Sequence, residues 1–133
     1  MEWFDYFQQN RPQLKFLDSS FAERHEMIYE LKTYKATEGN IEALKKRFDE
    51  KTMPIFKRLG IEVTHCWQNL EDPDTFNYLV RFPSEQAEKA AWDAFAKDSE
   101  WKAVKAQSEA VSGPLLASQS TLYLASTDFS PNA

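Results

Sequence analysis

Residues 61–82 read IEVTHCWQNLEDPDTFNYLVRF, two alternating runs joined by a segment rich in turn-forming residues. Alternation is typical of a strand with one buried face, and clustered Asp and Pro favour a turn. The stretch therefore predicts a β-hairpin with its turn at residues 71–74 and its second strand at 76–82. One face of the first strand is expected to carry Ile61, Val63, His65 and Trp67. The other face is expected to carry Glu62, Thr64 and Cys66.

Before the hairpin, residues 26–35 (EMIYELKTYK) alternate in the same way and predict a first strand. One of its faces carries Met27, Tyr29, Leu31 and Thr33, and the other carries Ile28, Glu30, Lys32 and Tyr34. A long helix is then predicted by apolar residues at helical spacing, namely Ile41, Leu44, Phe48, Ile55 and Leu59. We expect this helix to bend at Pro54, because proline lacks a backbone donor, and to end at Gly60.

After the hairpin, Ser84 is expected to cap a second helix whose apolar stripe consists of Ala87, Ala90, Ala91, Ala94 and Phe95. Ser99 is expected to begin a shorter helix that carries Trp101 and Val104. A last alternating run at residues 118–125 predicts the fourth strand.

The predicted order is therefore β, α, β, β, α, β. This order indicates an α+β, ferredoxin-like domain, in which a four-stranded antiparallel sheet carries both helical segments on one face. The other sheet face is left bare although its strands are apolar or aromatic, so we expect a second copy to cover it. The predicted assembly is a homodimer, of the dimeric α+β barrel type.

Length and composition fit one domain with a single core. The chain has 133 residues, of which 42% are hydrophobic and 14% aromatic. We divide it into an amino-terminal arm at residues 1–24, rich in aromatic side chains without a regular period, a domain at 25–126, and a polar tail at 127–133.

Charge and cysteine usage exclude several classes of protein. The formal net charge is −5 and the Lys and Arg residues form no stripe, which argues against nucleic-acid binding. The single cysteine, Cys66, excludes an internal disulfide, and no long uncharged apolar run predicts a membrane span. The expected compartment is the cytoplasm.

Several segments together resemble the NIPSNAP family. These are IYELKTY at residues 28–34, the glycine-led helix with Pro54, Trp67, EDPDTFNYLVRFPS at 71–84 and AWDAFAKDSEW at 91–101. The resemblance runs from about residue 27 to residue 125 and rests on the order and spacing of the motifs. The sequence departs from the commoner family pattern at Lys32, where arginine is usual, and at Ser99, where proline is usual.

The resemblance implies a dimeric α+β barrel. That superfamily also contains cofactor-independent monooxygenases, polyketide cyclases, lactone isomerases and haem enzymes, so the fold does not select an activity. The departure at Lys32 weakens any role that requires a bidentate guanidinium.

Two residues are candidates for proton transfer. Glu30 shares a strand face with Lys32, and Arg81 is expected on the neighbouring strand. The three side chains predict either a buried ion pair that fixes the register or the dimer, or a carboxylate base. His65 is the other candidate base, because the charge of histidine changes near neutral pH. The residues expected to line a pocket are Tyr34, Trp67, Tyr78 and Arg81.

No metal site or cofactor is predicted. The two histidines, His25 and His65, are far apart and form no ligand motif with the single cysteine. His65 and Cys66 are adjacent, but successive residues of a strand point to opposite faces, so they are not expected to form a nucleophile pair. No glycine-rich phosphate loop or dinucleotide motif occurs.

Two main functions remain open from the sequence. The first is a dimeric NIPSNAP-like protein that binds a small apolar or aromatic molecule or a partner, with no assigned reaction. The alternative is a cofactor-independent enzyme of the monooxygenase, cyclase or isomerase type that acts on a small aromatic or polyketide-like molecule. A third possibility is that the aromatic arm docks on another protein.

Overall fold

The computed structural model of the protein describes residues 27–131. Its elements are β1 (Ile28–Ala36), α1 (Ile41–Arg47), a π-helical turn (Phe48–Thr52), α2 (Met53–Arg58), β2 (Glu62–Gln68), β3 (Thr75–Phe82), α3 (Glu85–Lys97), α4 (Ser99–Ser112) and β4 (Leu116–Leu124). The predicted order of strands and helical segments is confirmed. The predicted arm at residues 1–24 lies outside the described residues, and so do the last two residues of the predicted tail.

The four strands form one antiparallel sheet in the order β2-β3-β1-β4. Side chains of β1 alternate between buried and partly exposed positions from Ile28 to Tyr34, as expected for a strand with one face under helices. Glu30 lies opposite Val80 of β3 and Tyr123 of β4. The ferredoxin-like α+β fold predicted from the sequence is confirmed.

The core lies between the helices and one face of the sheet, and it is mostly aromatic. Its buried rings belong to Tyr34, Phe48, Phe56, Phe76, Tyr78, Phe82, Trp92 and Phe95. Many of these rings meet edge to face, as between Phe56 and Trp92 with centroids 5.5 Å apart.

The predicted apolar stripe of α3 is wrong at Ala90 and Ala94 and is confirmed at Phe95. Ala90 and Ala94 are exposed, and the buried residues of this helix are Glu88, Trp92 and Phe95. These three positions also follow helical spacing, and burying two large rings removes much more apolar surface from water than burying alanines does. The helix is therefore rotated so that its aromatic side chains face the sheet.

The helical segment after β1 widens before Pro54 and does not simply bend there. Residues 48–52 form a π-helical turn, in which the N–H of Met53 donates to the carbonyl of Phe48. Pro54 has no N–H for the carbonyl of Glu50, so a regular α-helix cannot continue through this point. Placed in the first turn of α2, where no such donor is needed, the proline is tolerated.

A β-bulge in β2 changes the predicted faces of that strand. Val63 lies opposite Val80, but His65 lies opposite Leu79, so Thr64 is an extra residue in the pairing. Val63 consequently faces the helices, whereas His65 faces the open side of the sheet. The prediction that His65 shares a face with Val63 is wrong, because a bulge reverses the alternation beyond it.

The helix caps agree with prediction at one end of α3 and differ at α4. The Ser84 hydroxyl accepts a hydrogen bond from the N–H of Ala87 at 3.0 Å, as predicted for a cap. The cap of α4 is Asp98 rather than Ser99, since the Asp98 carboxylate accepts from the N–H of Trp101 at 2.9 Å. With 14 residues, α4 is also not the shorter helix, because α3 has 13.

Candidate functional site

The face of the sheet away from the helices carries three cross-strand rows. Strand pairing aligns them as Glu62–Arg81–Tyr29–Leu124, His65–Leu79–Leu31–Leu122 and Trp67–Asn77–Thr33–Ser120. The rings of His65 and Trp67 stack with centroids 5.1 Å apart. Trp67, Leu122 and Leu124 are 45%, 60% and 45% exposed, so the open face is substantially apolar.

A buried ion pair occupies the helix-facing side of β1. The Lys32 Nζ lies 3.3 Å from a Glu30 carboxylate oxygen and donates to Thr121 Oγ1 at 2.9 Å. The indole N–H of Trp92 donates to the same carboxylate at 3.1 Å. The pair thus joins β1, β4 and α3.

Arg81 does not take part in this ion pair. It lies opposite Tyr29, on the other face of the sheet from Glu30, because neighbouring strand residues alternate. Its Nε instead donates to Glu62 at 2.6 Å, where both side chains are largely exposed. The strand that carries Arg81 lies beside β1 as expected, but the Arg81 side chain does not pair with Glu30.

A cavity of about 260 Å³ lies between the sheet and the helical layer. Its walls come from β1, α1, the π-helical turn, α3, α4, β4 and the segment before β4. The apolar wall consists of Leu44, Phe48, Phe95, Trp101, Pro114 and Leu116. The polar and charged lining residues are Tyr34, Arg47, Thr52, Lys105, Glu109 and Gln119.

Arg47 is one of two cationic residues that line this cavity, the other being Lys105. Its Nη1 donates to Ser108 Oγ at 2.8 Å, and its guanidinium lies 5.1 Å from the centroid of the Trp101 ring. Its Nε is buried and has no hydrogen-bond partner among the described residues. Burial lowers the pKa of Arg47, while Tyr34 and Glu109 act in the opposite direction. The guanidinium is therefore held partly desolvated at the cavity wall.

Tyr34 and Gln119 lie opposite each other on β1 and β4 and both line the cavity. Burial raises the pKa of Tyr34 to about 12, so its hydroxyl is protonated at neutral pH. Gln119 is 8% exposed, and its Nε2 has no hydrogen-bond partner in the described part of the chain. The cavity therefore presents N–H groups with unused donor capacity, which suits an acceptor-bearing ligand.

The structure separates the residues that the sequence suggested as one site. Tyr34 lines the cavity, and Tyr78 is fully buried directly behind it. Glu30 lies deeper along β1 and is not among the lining residues. His65, Trp67 and Arg81 lie on the open face, so His65 and Glu30 are on opposite sides of the sheet.

Arg47 and Gln119 were not identified from the sequence. Arg47 lies in α1 between Leu44 and Phe48, both buried, so a charge within a predicted apolar stripe was the available signal. Gln119 and Thr121 lie two residues apart on the same face of β4. Nothing in that local pattern distinguishes Gln119 from an ordinary solvent-facing residue. The cavity depends on contacts between distant segments.

Residues 27–131 contain neither a cluster of potential metal ligands nor a candidate membrane-spanning helix. Within this range, no group of three or more His, Cys, Asp or Glu side chains is arranged to hold a metal ion. None of the helices described is both long and apolar enough to cross a membrane.

Comparison with known proteins identifies the family to which the chain is similar. The NIPSNAP family model matches residues 29–131. Among solved structures, a NIPSNAP family protein from Agrobacterium tumefaciens is 21% identical with a TM-score of 0.68, covering 79% of this chain and 97% of that one. An uncharacterized NIPSNAP domain protein from Burkholderia xenovorans is 18% identical with a TM-score of 0.66, covering 78% of this chain and 98% of that one.

A further Agrobacterium tumefaciens NIPSNAP family protein, of unknown function, is 21% identical with a TM-score of 0.66, covering 80% of this chain and 94% of that one. No curated protein matched the chain. At these identities the solved structures support the fold, and they assign no specific activity.

Proposed function

Because the chain belongs to the NIPSNAP family, whose similar solved members carry no assigned activity, we propose its function from its own cavity. It is a homodimeric binding protein that holds a small apolar or aromatic molecule between its sheet and its helices. The observation that carries this proposal is an aromatic-walled cavity of about 260 Å³ that also contains buried N–H groups. This volume is near the lower limit of small-molecule sites and suits a compact ligand.

The open sheet face supports the dimer. Trp67, Leu122 and Leu124 expose apolar surface along it, and the charged pair at its edge, Glu62 with Arg81, is already neutralised. A face of this kind is costly to leave in water and is self-complementary under a two-fold rotation. We also place the protein in the cytoplasm, since its cysteine, Cys66, is free and exposed.

Binding is favoured over the enzymatic alternative. Neither of the predicted bases, Glu30 and His65, lines the cavity, and Glu30 is engaged with Lys32 and Trp92. The acidic residue that does line it, Glu109, lies 3.7 Å from Lys105. The lining residues supply hydrogen-bond donors and apolar contacts, but neither of the predicted bases is placed among them to move a proton.

The proposal is tested by calorimetric titration of the full chain with 3-phenylpropanamide, a neutral aromatic probe. We expect saturable binding to the wild type and strongly weakened binding to Leu116→Phe, which places extra volume in the cavity. The matched control is Leu70→Phe, a substitution at a residue that is 96% exposed in the hairpin turn. Equal binding by both variants would overturn the proposal, and so would a wild type that binds neither this probe nor its carboxylic acid analogue, 3-phenylpropanoate.

A further inference from the structure

Two of the residues that line the cavity have side-chain N–H groups that make no hydrogen bond within the described part of the protein. Arg47 Nε and Gln119 Nε2 are both buried, and neither has a hydrogen-bond partner among residues 27–131. A buried donor without an acceptor is costly, so such groups are expected to be satisfied by something that occupies the site. Two N–H donors that line one cavity, Arg47 from α1 and Gln119 from β4, suit a ligand group with two acceptor oxygens.

The charges of the lining residues indicate the sign of that group. Lys105 and Glu109 lie 3.7 Å apart on the same helix and offset each other. The third charged lining residue, Arg47, has no carboxylate within ion-pair distance in the described part of the chain, although Glu109 lies close enough to influence it. The lining therefore has one net positive charge, which a single negative charge would balance.

The remainder of the wall indicates the body of the ligand. Phe48, Phe95 and Trp101 supply ring surfaces, and the Phe95 and Trp101 rings are stacked with centroids 4.8 Å apart. Arg47 lies over the Trp101 ring, so the cationic and aromatic parts of the wall are adjacent. A molecule that fits both has an apolar or aromatic body with its polar group at one end.

We infer that the cavity binds a small monocarboxylic acid with an apolar or aromatic body, whose carboxylate accepts hydrogen bonds from Arg47 and Gln119. This inference rests on the proposed function and narrows it to a ligand class. A carboxylate has two oxygens and one charge, which matches both the donors and the charge balance. A phosphate monoester would bring a charge near −2 at neutral pH close to Glu109 and fits less well.

The test compares 3-phenylpropanoate with 3-phenylpropanamide, which have similar shape but differ in charge. Calorimetric titration of the full wild-type chain at pH 7 is expected to show about tenfold or more tighter binding of the carboxylate, as for a charge-assisted hydrogen bond. Gln119→Met removes one donor at similar volume and should reduce this preference several-fold. Arg47→Met should abolish the preference, because it weakens binding of the acid more than binding of the amide.

Matched controls separate a local effect from a general one. Gln107→Met alters the same residue type at an exposed position of α4 and should keep the wild-type preference. If Arg47→Met fails to fold, Gln119→Met still tests the assignment.

The outcomes distinguish this inference from the proposed function. Equal binding of the acid and the amide to the wild type would overturn the inference and leave the binding function standing. A preference for the acid that stays at the wild-type level in Gln119→Met, and in Arg47→Met where that variant folds, would overturn the assignment of the carboxylate to these two residues. Binding of neither probe would overturn the proposed function itself.

Discussion

The hydroxyl of Tyr78 donates a hydrogen bond to the hydroxyl of Tyr34 at 2.7 Å, between two strands of the sheet. Both rings are buried, and their centroids lie 5.0 Å apart in an edge-to-face arrangement. Tyr34 lines the cavity and Tyr78 does not, so this hydrogen bond holds a cavity-lining side chain in place from the core side.

The losses of unfolding free energy caused by removing the two hydroxyls should not add. Tyr34→Phe leaves the buried Tyr78 hydroxyl without its acceptor, and we expect the free energy of unfolding to fall by about 1–3 kcal/mol. In the double variant Tyr34→Phe/Tyr78→Phe no orphaned hydroxyl is left, so its loss should be smaller than the sum of the two single losses. Urea denaturation of the four proteins measures this difference, and strict additivity would contradict it.

The same pair should make the fold sensitive to alkali. Burial raises the pKa of Tyr34 from 10.0 to about 12, so the folded state holds its proton where the unfolded chain has lost it. The contribution is fully present below pH 10 and is lost as pH rises from 10 to about 12. Wild-type stability should therefore fall more steeply over this range than that of Tyr34→Phe. Denaturation measured at half-unit intervals of pH tests this, and parallel curves would contradict it.

The buried ion pair should be stabilising only as long as both partners are present. Glu30→Leu leaves the Lys32 ammonium buried without this carboxylate, and the expected loss is about 3–5 kcal/mol. The double variant Glu30→Leu/Lys32→Leu should regain much of that loss, because it leaves no uncompensated charge. Glu62→Leu is the control, since its pair with Arg81 is exposed and should matter little. Equal losses in Glu30→Leu and Glu62→Leu would contradict the prediction.

The open sheet face should determine the oligomeric state. Leu122→Glu places a charge at the β4 end of the middle cross-strand row and is expected to convert a dimer to a monomer in sedimentation velocity. Leu70→Glu introduces the same charge at a fully exposed turn and should leave the dimer intact. A wild-type chain that sediments as a monomer would contradict the proposed dimer, and a dimer that tolerates Leu122→Glu would argue for another interface.

The cap of α4 should depend on the side-chain oxygen at position 98 more than on its charge. Asp98→Asn retains an oxygen that can accept from Trp101, whereas Asp98→Ala removes it and should cost about 1 kcal/mol more. Thermal denaturation followed by far-ultraviolet circular dichroism compares the two. Equal losses in the two variants would contradict this and would show that the contact with Arg58, which both variants weaken, outweighs the cap.

Local patterns were sufficient to predict the order of the elements. Each strand alternates over several residues, and Ser84 and Gly60 mark a helix start and a helix end by local chemistry. The buried pair of Glu30 and Lys32 was also predictable, since both lie two residues apart on one strand face. The placement of Arg81 failed because the prediction considered which strands are neighbours but not which face each side chain takes.

The remaining features depend on single-residue shifts and distant contacts. The extra residue at Thr64 reverses the faces of His65 and Trp67 without disturbing the apparent alternation of the sequence. Arg47 lines the cavity with Gln119 of β4 and donates to Ser108, 61 residues later in α4, and no local pattern encodes these contacts. The candidate site was therefore recoverable only in part, at Tyr34.

The number of residues in the π-helical turn determines the direction in which α1 presents its side chains. One residue corresponds to about 100° of rotation along an α-helix, so the wide turn at residues 48–52 sets how α1 is rotated relative to α2. Deleting a single residue there would turn Arg47 away from the cavity while α2 stayed in place. Among relatives, a chain one residue shorter at this point is thus expected to keep the fold and lose the cation, so ligand choice can diverge through a gap as readily as through a substitution.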